Sequence, residues 1–128
     1  SVQLNQIQYR SILTQGRIIV DSGSAFNCFR ERNLVSNIHS CDPFNTLSNG
    51  CGMTCTEKGT PNVFKELDCY CNPACLVNII SLDLLQAKCH TTFDSEKKNA
   101  FTVEVSDALT ITFEGFGSGL CFVNLHPP

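Results

Sequence analysis

The sequence predicts a mainly β domain: a small antiparallel β-sandwich or barrel with one short helix and a disulfide-stapled central loop region. Three observations carry that expectation. Short apolar runs alternate with polar residues, turn formers separate them roughly every ten residues, and nine cysteines are spread over 128 positions. A chain of this length buries about two-thirds of the surface its unfolded form exposes, so residues 1–128 are expected to form one domain.

The elements follow in order. Tyr9 to Leu13 and Arg17 to Asp21 flank Thr14-Gln15-Gly16, a Gly-containing connection suited to a hairpin, and Ile18-Ile19-Val20 is a β-branched run. Ser22-Gly23-Ser24 breaks that strand and Ala25 to Phe29 resumes it. From Arg30 to Ile38, Leu34, Val35 and Ile38 have the spacing of one helical face, so the one helix is expected there. His39 to Pro61 carries Asp42-Pro43, Asn49-Gly50, Gly52 and Gly59-Thr60-Pro61, which read as an irregular surface loop tied down by Cys41, Cys51 and Cys55. Leu76 to Leu85 is too apolar for a one-sided strand and is expected to run through the core or to reach it twice. Phe101-Val103-Val105 and Leu109-Ile111-Phe113 both have period 2 and form a hairpin across Ser106-Asp107. The glycines of Gly115 to Gly119 make a loop, and Leu120 to Leu125 is the last strand.

Cysteine usage sets the expected compartment. The cysteines are Cys28, Cys41, Cys51, Cys55, Cys69, Cys71, Cys75, Cys89 and Cys121, seven of them between Cys41 and Cys89. Structural zinc sites favour a C-x2-C knuckle that lets two thiolates reach one ion; Cys51-x3-Cys55, Cys69-x-Cys71-x3-Cys75 and Cys89-His90 lack it. Disulfides suit the pattern better. Eight of the nine are expected to pair, with Cys69 and Cys71 anchoring one extended segment to two different partners, in an oxidising, extracellular setting. The ninth thiol, with Cys28 and Cys121 the first candidates, is either buried and inert in a monomer or bridges two chains in a dimer.

Charge and hydropathy exclude other classes. Nine Lys plus Arg against twelve Asp plus Glu leave no basic excess for a phosphate backbone, so no nucleic acid is expected. The apolar stretch from Cys75 to Ile80 is interrupted by Asn78 and falls far short of the roughly 18 residues of a spanning helix, so no membrane span is expected. The chain opens at Ser1 without a signal-peptide pattern, which reads as a mature secreted form or an excised domain. No cofactor motif is present.

One segment carries chemistry. Arg17-Ile18-Ile19-Val20-Asp21-Ser22-Gly23-Ser24-Ala25 is a β-branched strand running into Asp-Ser-Gly, and it resembles the active-site turn of retroviral-like aspartic proteases. The resemblance implies that Asp21 is catalytic, in a two-carboxylate site whose second acid comes from another copy of the chain. Two such acids a few ångströms apart share one proton, so one accepts while the other donates. It also implies a second apolar strand with a Gly-containing turn near the carboxyl end, a form Leu120-Cys121-Phe122-Val123 does not have. The bland reading of Asp-Ser-Gly is an ordinary turn. His39, His90 and His126 stand in loop or tail readings, and Ser22, Ser24 and Ser118 lack a nucleophile elbow. Phe26, Phe29, Phe44 and Phe116 lie near turns, either packed in the core or forming a patch for a partner.

The leading expectation is therefore a secreted, cysteine-rich, non-catalytic interaction module that binds a partner protein, as virulence effectors of pathogens or surface-glycoprotein domains do. The alternatives are a homodimeric aspartic protease acting through Asp21 and a zinc-stabilised binding domain.

Overall fold

The computed structural model describes residues 16–48, 51–94, 100–106, 109–115 and 121–124. Ten strands are found among them: β1 (Arg17–Asp21), β2 (Cys28–Phe29), β3 (Val35–Ser48), β4 (Cys51–Pro61), β5 (Cys69–Cys71), β6 (Asn78–Ser81), β7 (His90–Asp94), β8 (Ala100–Ser106), β9 (Leu109–Gly115) and β10 (Cys121–Asn124). One short helix, α1 (Leu82–Lys88), joins β6 to β7. The fold is mainly β with a single short helix, as expected. Hydrogen-bonded neighbours run in the order β3-β4-β5-β2-β6-β1-β10-β9-β8-β7, whose two ends do not meet, so no barrel closes. A β7-β8-β9 sheet joins the rest where Glu114 and Gly115 pair with Phe122 and Cys121. The pairing is not purely antiparallel, because β1 lies parallel to β6 and β2 parallel to β5.

β1 is central because its sequence is apolar on both faces. Ile18, Ile19 and Val20 are all nearly buried, between β6 on one side and β10 on the other. The core beneath them joins Phe29, Phe64, Ile80, Leu85, Val103 and Phe113, with the Phe64 and Phe113 rings stacked at 6.0 Å. Each such side chain contributes about 1.5–3 kcal/mol by leaving water.

The β8–β9 hairpin stands where the alternation put it, pairing Phe101 with Phe113 and Val103 with Ile111. The last strand is also found, as β10. Of the hairpin expected at the amino end, Tyr9 to Leu13 lies outside the described residues, as do the Asn49-Gly50 turn and the Phe116 to Leu120 loop.

Two placements of elements are corrected. The helix is not at Arg30 to Ile38, where only a 3-10 turn forms over Arg32–Leu34 before Val35 enters β3 with φ −128° and ψ 140°. Asn37 then adopts φ 56°, a left-handed conformation that ends any right-handed helix.

The segment from His39 to Pro61 is not an irregular loop. It belongs to the long hairpin β3–β4, which runs from Val35 opposite Pro61 to Ser48 opposite Cys51. Register shifts between Ser36 and His39 and between Ser40 and Phe44 absorb Asn37 and Asp42-Pro43. β3 is an edge strand, where the missing N–H of Pro43 breaks no ladder. Gly59 marks close packing rather than a turn: a Cβ there would meet Val35 Cγ1 at 2.5 Å and the Ser36 carbonyl at 2.7 Å.

The apolar run at Leu76 to Leu85 divides at Ser81, whose hydroxyl accepts from the Leu84 N–H and caps α1. Asp83 in the first turn and Lys88 in the last suit the helix dipole, and Leu85 turns into the core. Among the described residues no helix is long and apolar enough to cross a membrane.

Candidate functional site

The buried polar residues identify the site. Within the described chain they are Asp21, Asn27, Asn78 and Ser81, all less than a tenth exposed, and all lie on β1, on β6 or on the segment linking β1 to β2. Buried polar groups persist where each is satisfied, so this cluster is a built feature rather than an accident of packing.

Asp21 ends β1. Its Oδ1 accepts from the Gly23 N–H at 2.8 Å, and its carbonyl accepts from the Ser24 N–H at 3.3 Å, closing a tight turn whose Ser22 and Gly23 are exposed. Ser24 continues the turn by donating its hydroxyl to the Phe26 carbonyl at 2.7 Å. The bland reading of Asp-Ser-Gly as a turn is thus correct as geometry, and a nearly buried carboxylate stands at its head.

Beside it runs β6, parallel, with Val20 opposite Ile80 and Asp21 opposite Ser81. This is a second apolar strand against the Asp turn, reached through the middle of the chain. The segment at Cys121 instead pairs antiparallel with the other edge of β1, Cys121 opposite Val20. Ser81 stands where the protease resemblance leads one to expect glycine.

Two asparagines hold this pair of strands. Asn78 Nδ2 donates to the Arg17 carbonyl at 2.9 Å and to Glu31 Oε2 at 2.7 Å, while its Oδ1 accepts from the Arg30 and Glu31 N–H groups. Glu31 Oε2 also accepts from Gly16 N–H, and its Oε1 is buried with no hydrogen-bond partner among the described residues. Asn27 Oδ1 accepts from the Ser81 N–H at 2.7 Å, and its Nδ2 donates to the Asp68 carbonyl at 2.9 Å. The next residue, Cys28, is bonded to Cys75 in a disulfide that ties β2 to the approach of β6.

A cavity of about 230 Å³ opens beside the turn, lined by Ala25, Phe26, Asn27, Phe44, Lys58, Asp68, Cys69, Tyr70 and Leu84. Phe44 stacks on Tyr70 at 4.5 Å and meets Phe26 edge-on at 5.6 Å. Lys58 lies 5.2 Å from the Tyr70 ring centre and pairs with Asp68 at 3.1 Å. Phe26 and Phe44 are half-buried in this wall, Phe29 is in the core, and Phe116 lies outside the described residues.

The other cysteines are not gathered at Asp21. Cys41, Cys55, Cys69, Cys71 and Cys89 are thiols, all buried except the partly exposed Cys41, and the side chains of Cys51 and Cys121 lie outside the described residues. Cys69 donates to Cys71, which raises the Cys69 pKa and, with Arg32 nearby, lowers that of Cys71. Burial pushes the Cys55 and Cys89 thiols up. Among the described residues no three His, Cys, Asp or Glu side chains converge as a metal-binding group. His39 and His90 are exposed and bond locally, to the Asn37 carbonyl and to the Thr92 hydroxyl.

No family model, curated protein or solved structure matches the chain.

Sequence reasoning isolated Asp21 and missed its partners. The signals for them were present: a lone Asn in an apolar run at position 78, and a Ser followed by Asp two residues on at 81–83, the form of a helix cap.

Proposed function

We propose that the chain is an aspartic protease of the retroviral-like type, active as a homodimer in which each copy supplies Asp21. The observation that carries the reading is the pairing of a nearly buried carboxylate, on a tight Asp-Ser-Gly turn, with a parallel apolar strand that ends opposite it at Ser81. This replaces the non-catalytic module as the leading reading. The Gly23 N–H on Oδ1 and the cover of the strand pair hold the carboxyl in one place, which a two-carboxylate site requires.

In that site one Asp21, ionised, takes a proton from a water as it attacks the peptide carbonyl. The other, protonated, donates to the carbonyl oxygen. In each copy the Gly23 N–H holds Oδ1 of the carboxylate. The protein should cleave an unfolded polypeptide and Asp21→Asn should not, with both melting at similar temperatures. Equal cleavage by the two forms, or none by the native chain, overturns the reading.

A second reading is the extracellular, non-catalytic binding module, favoured by the Cys28–Cys75 disulfide and by the half-buried Phe26, Phe44 and Tyr70 wall. Trapping thiols before purification and finding Cys28 and Cys75 reduced in the secreted fraction would count against it.

A further inference from the structure

We infer that Asn27 is a positioning residue for Asp21, acting through the Ser81 N–H; the inference rests on the protease reading above and adds a residue to it. Asn27 is 4% exposed, and its side chain bonds two elements distant in sequence: Ser81 at the end of β6 and Asp68 just before β5. Its backbone carbonyl also accepts from the Tyr70 N–H at 2.9 Å, so the residue is held by main chain and side chain together.

Ser81 is the residue that matters for the carboxylate. It lies opposite Asp21 in the parallel register, is fully buried, and has its hydroxyl engaged in capping α1. On the other flank of β6, among the described residues, β2 pairs with it at Cys28 opposite Ile79. Two residues on, the Asn27 side chain supplies Ser81 with the acceptor that a continued strand would have given. A buried N–H has to find such an acceptor, so without Asn27 the end of β6 must shift to find another. The end of β1, which carries Asp21, is packed against it and shifts too.

A two-carboxylate site is sensitive to that motion, because each copy must place its acid within a few ångströms of the other's. Displacements of about 1 Å remote from the reacting atoms lower rates by roughly 100-fold. The effect belongs to the chemical step. Asn27 also lines the cavity with Phe44 and Tyr70 and bonds the Asp68 carbonyl, so kcat and the Ser81 amide, rather than KM, report on its link to Asp21.

The test compares the full-length chain with Asn27→Leu, which has similar size and no acceptor, and with Asn27→Asp, which keeps an oxygen for the Ser81 N–H. Steady-state cleavage of one peptide is measured well below each variant's melting temperature, and exchange of the Ser81 amide is followed by NMR. The expected result for Asn27→Leu is a kcat lower by about 30- to 100-fold, and faster Ser81 exchange. Asn27→Asp, which keeps the acceptor for Ser81 but loses the amide donor to the Asp68 carbonyl, should recover the slow Ser81 exchange and part of kcat. If Asn27→Leu does not fold, Asn27→Ser, too short to reach Ser81, takes its place. An unchanged kcat in the Leu or Ser variant, with Asp21→Asn inactive, overturns the inference alone; activity in Asp21→Asn overturns the protease reading and this inference with it.

Discussion

Replacing Cys28 and Cys75 by serine should remove about 4 kcal/mol of stability. The bridge joins residues 47 apart in sequence, and the loop-entropy relation for a closure of that length gives about 4 kcal/mol at room temperature. Against a total stability of about 5–15 kcal/mol that is a large share, and for a domain of this size it corresponds to roughly 12–18 °C in melting temperature. The placement makes the loss local as well as global: Cys28 is paired with Ile79 of β6, and Cys75 lies just ahead of that strand in the chain. Either single substitution removes the same closure, so Cys28→Ser, Cys75→Ser and the double variant should fall together within about 1 kcal/mol, with reduced native protein beside them. Thermal and urea unfolding of oxidised and reduced protein supply the measurement. A reduced native chain melting within about 3 °C of the oxidised one would refute the argument, as would single variants differing widely from the double.

Three further outcomes are expected. Phe64→Ala should cost about 3–5 kcal/mol by urea unfolding, since Phe64 is fully buried against Phe113; a loss under about 1 kcal/mol would show that the core collapses to fill the space. Gly59→Ala should destabilise by about 1–3 kcal/mol, because the new methyl group meets the Ser36 backbone carbonyl, which cannot rotate away. A hydrogen bond from Lys58 to Asp68, and the charge of that carboxylate, hold the Lys58 pKa above its ordinary value. The folded chain therefore holds that proton more tightly than the unfolded one. The pair's contribution is complete below about pH 10 and is lost as pH rises through the raised folded value. With Asp68 mostly exposed it amounts to less than about 1 kcal/mol, so native protein and Asp68→Asn should differ slightly in urea midpoint at about pH 8, and the difference should shrink as the pH rises above the ordinary lysine range.

What the sequence made legible was local. β8 and β9 could be read because Phe101-Val103-Val105 and Leu109-Ile111-Phe113 alternate without interruption and their connection is short. β1 could be read because three β-branched residues in a row have few other uses. The β3–β4 hairpin was hidden because its punctuation misleads. Asp42-Pro43 sits in a stretch of register shift and Gly59 at a close strand approach, yet both are the vocabulary of a loop. In the segment after β2, tertiary pairing overrode the helical spacing of Leu34, Val35 and Ile38, because Leu34 and Val35 bury better at the mouth of a strand. At the site, Asp21 was legible from its own neighbours. Its setting was not: Asn27 reaches Ser81 across 54 positions and Asn78 reaches Arg17 across 61, and no window along the chain contains such a pair.

That long-range setting bears on which functional reading is stronger. A disulfide, a β-rich core and a half-buried aromatic wall are compatible with many binding modules, and none of them requires a carboxylate under cover. The β1–β6 junction is different in kind. Apolar residues at positions 21, 27, 78 and 81 would pack two parallel strands without desolvating a charge or needing two amides to be satisfied. Here each amide instead fixes one level of the pair: Asn78 bonds the base of β1 at Arg17, and Asn27 bonds the head of β6 at Ser81, opposite Asp21. A frame that locks both ends of a strand pair and leaves an acid at one of them is suited to holding that acid in a fixed geometry. On the protease reading, that fixed placement is what a pair of carboxyls contributed by two copies requires. On that reading, Asp21→Asn, which keeps the shape and removes the charge, should therefore abolish cleavage while leaving the dimer intact by sedimentation.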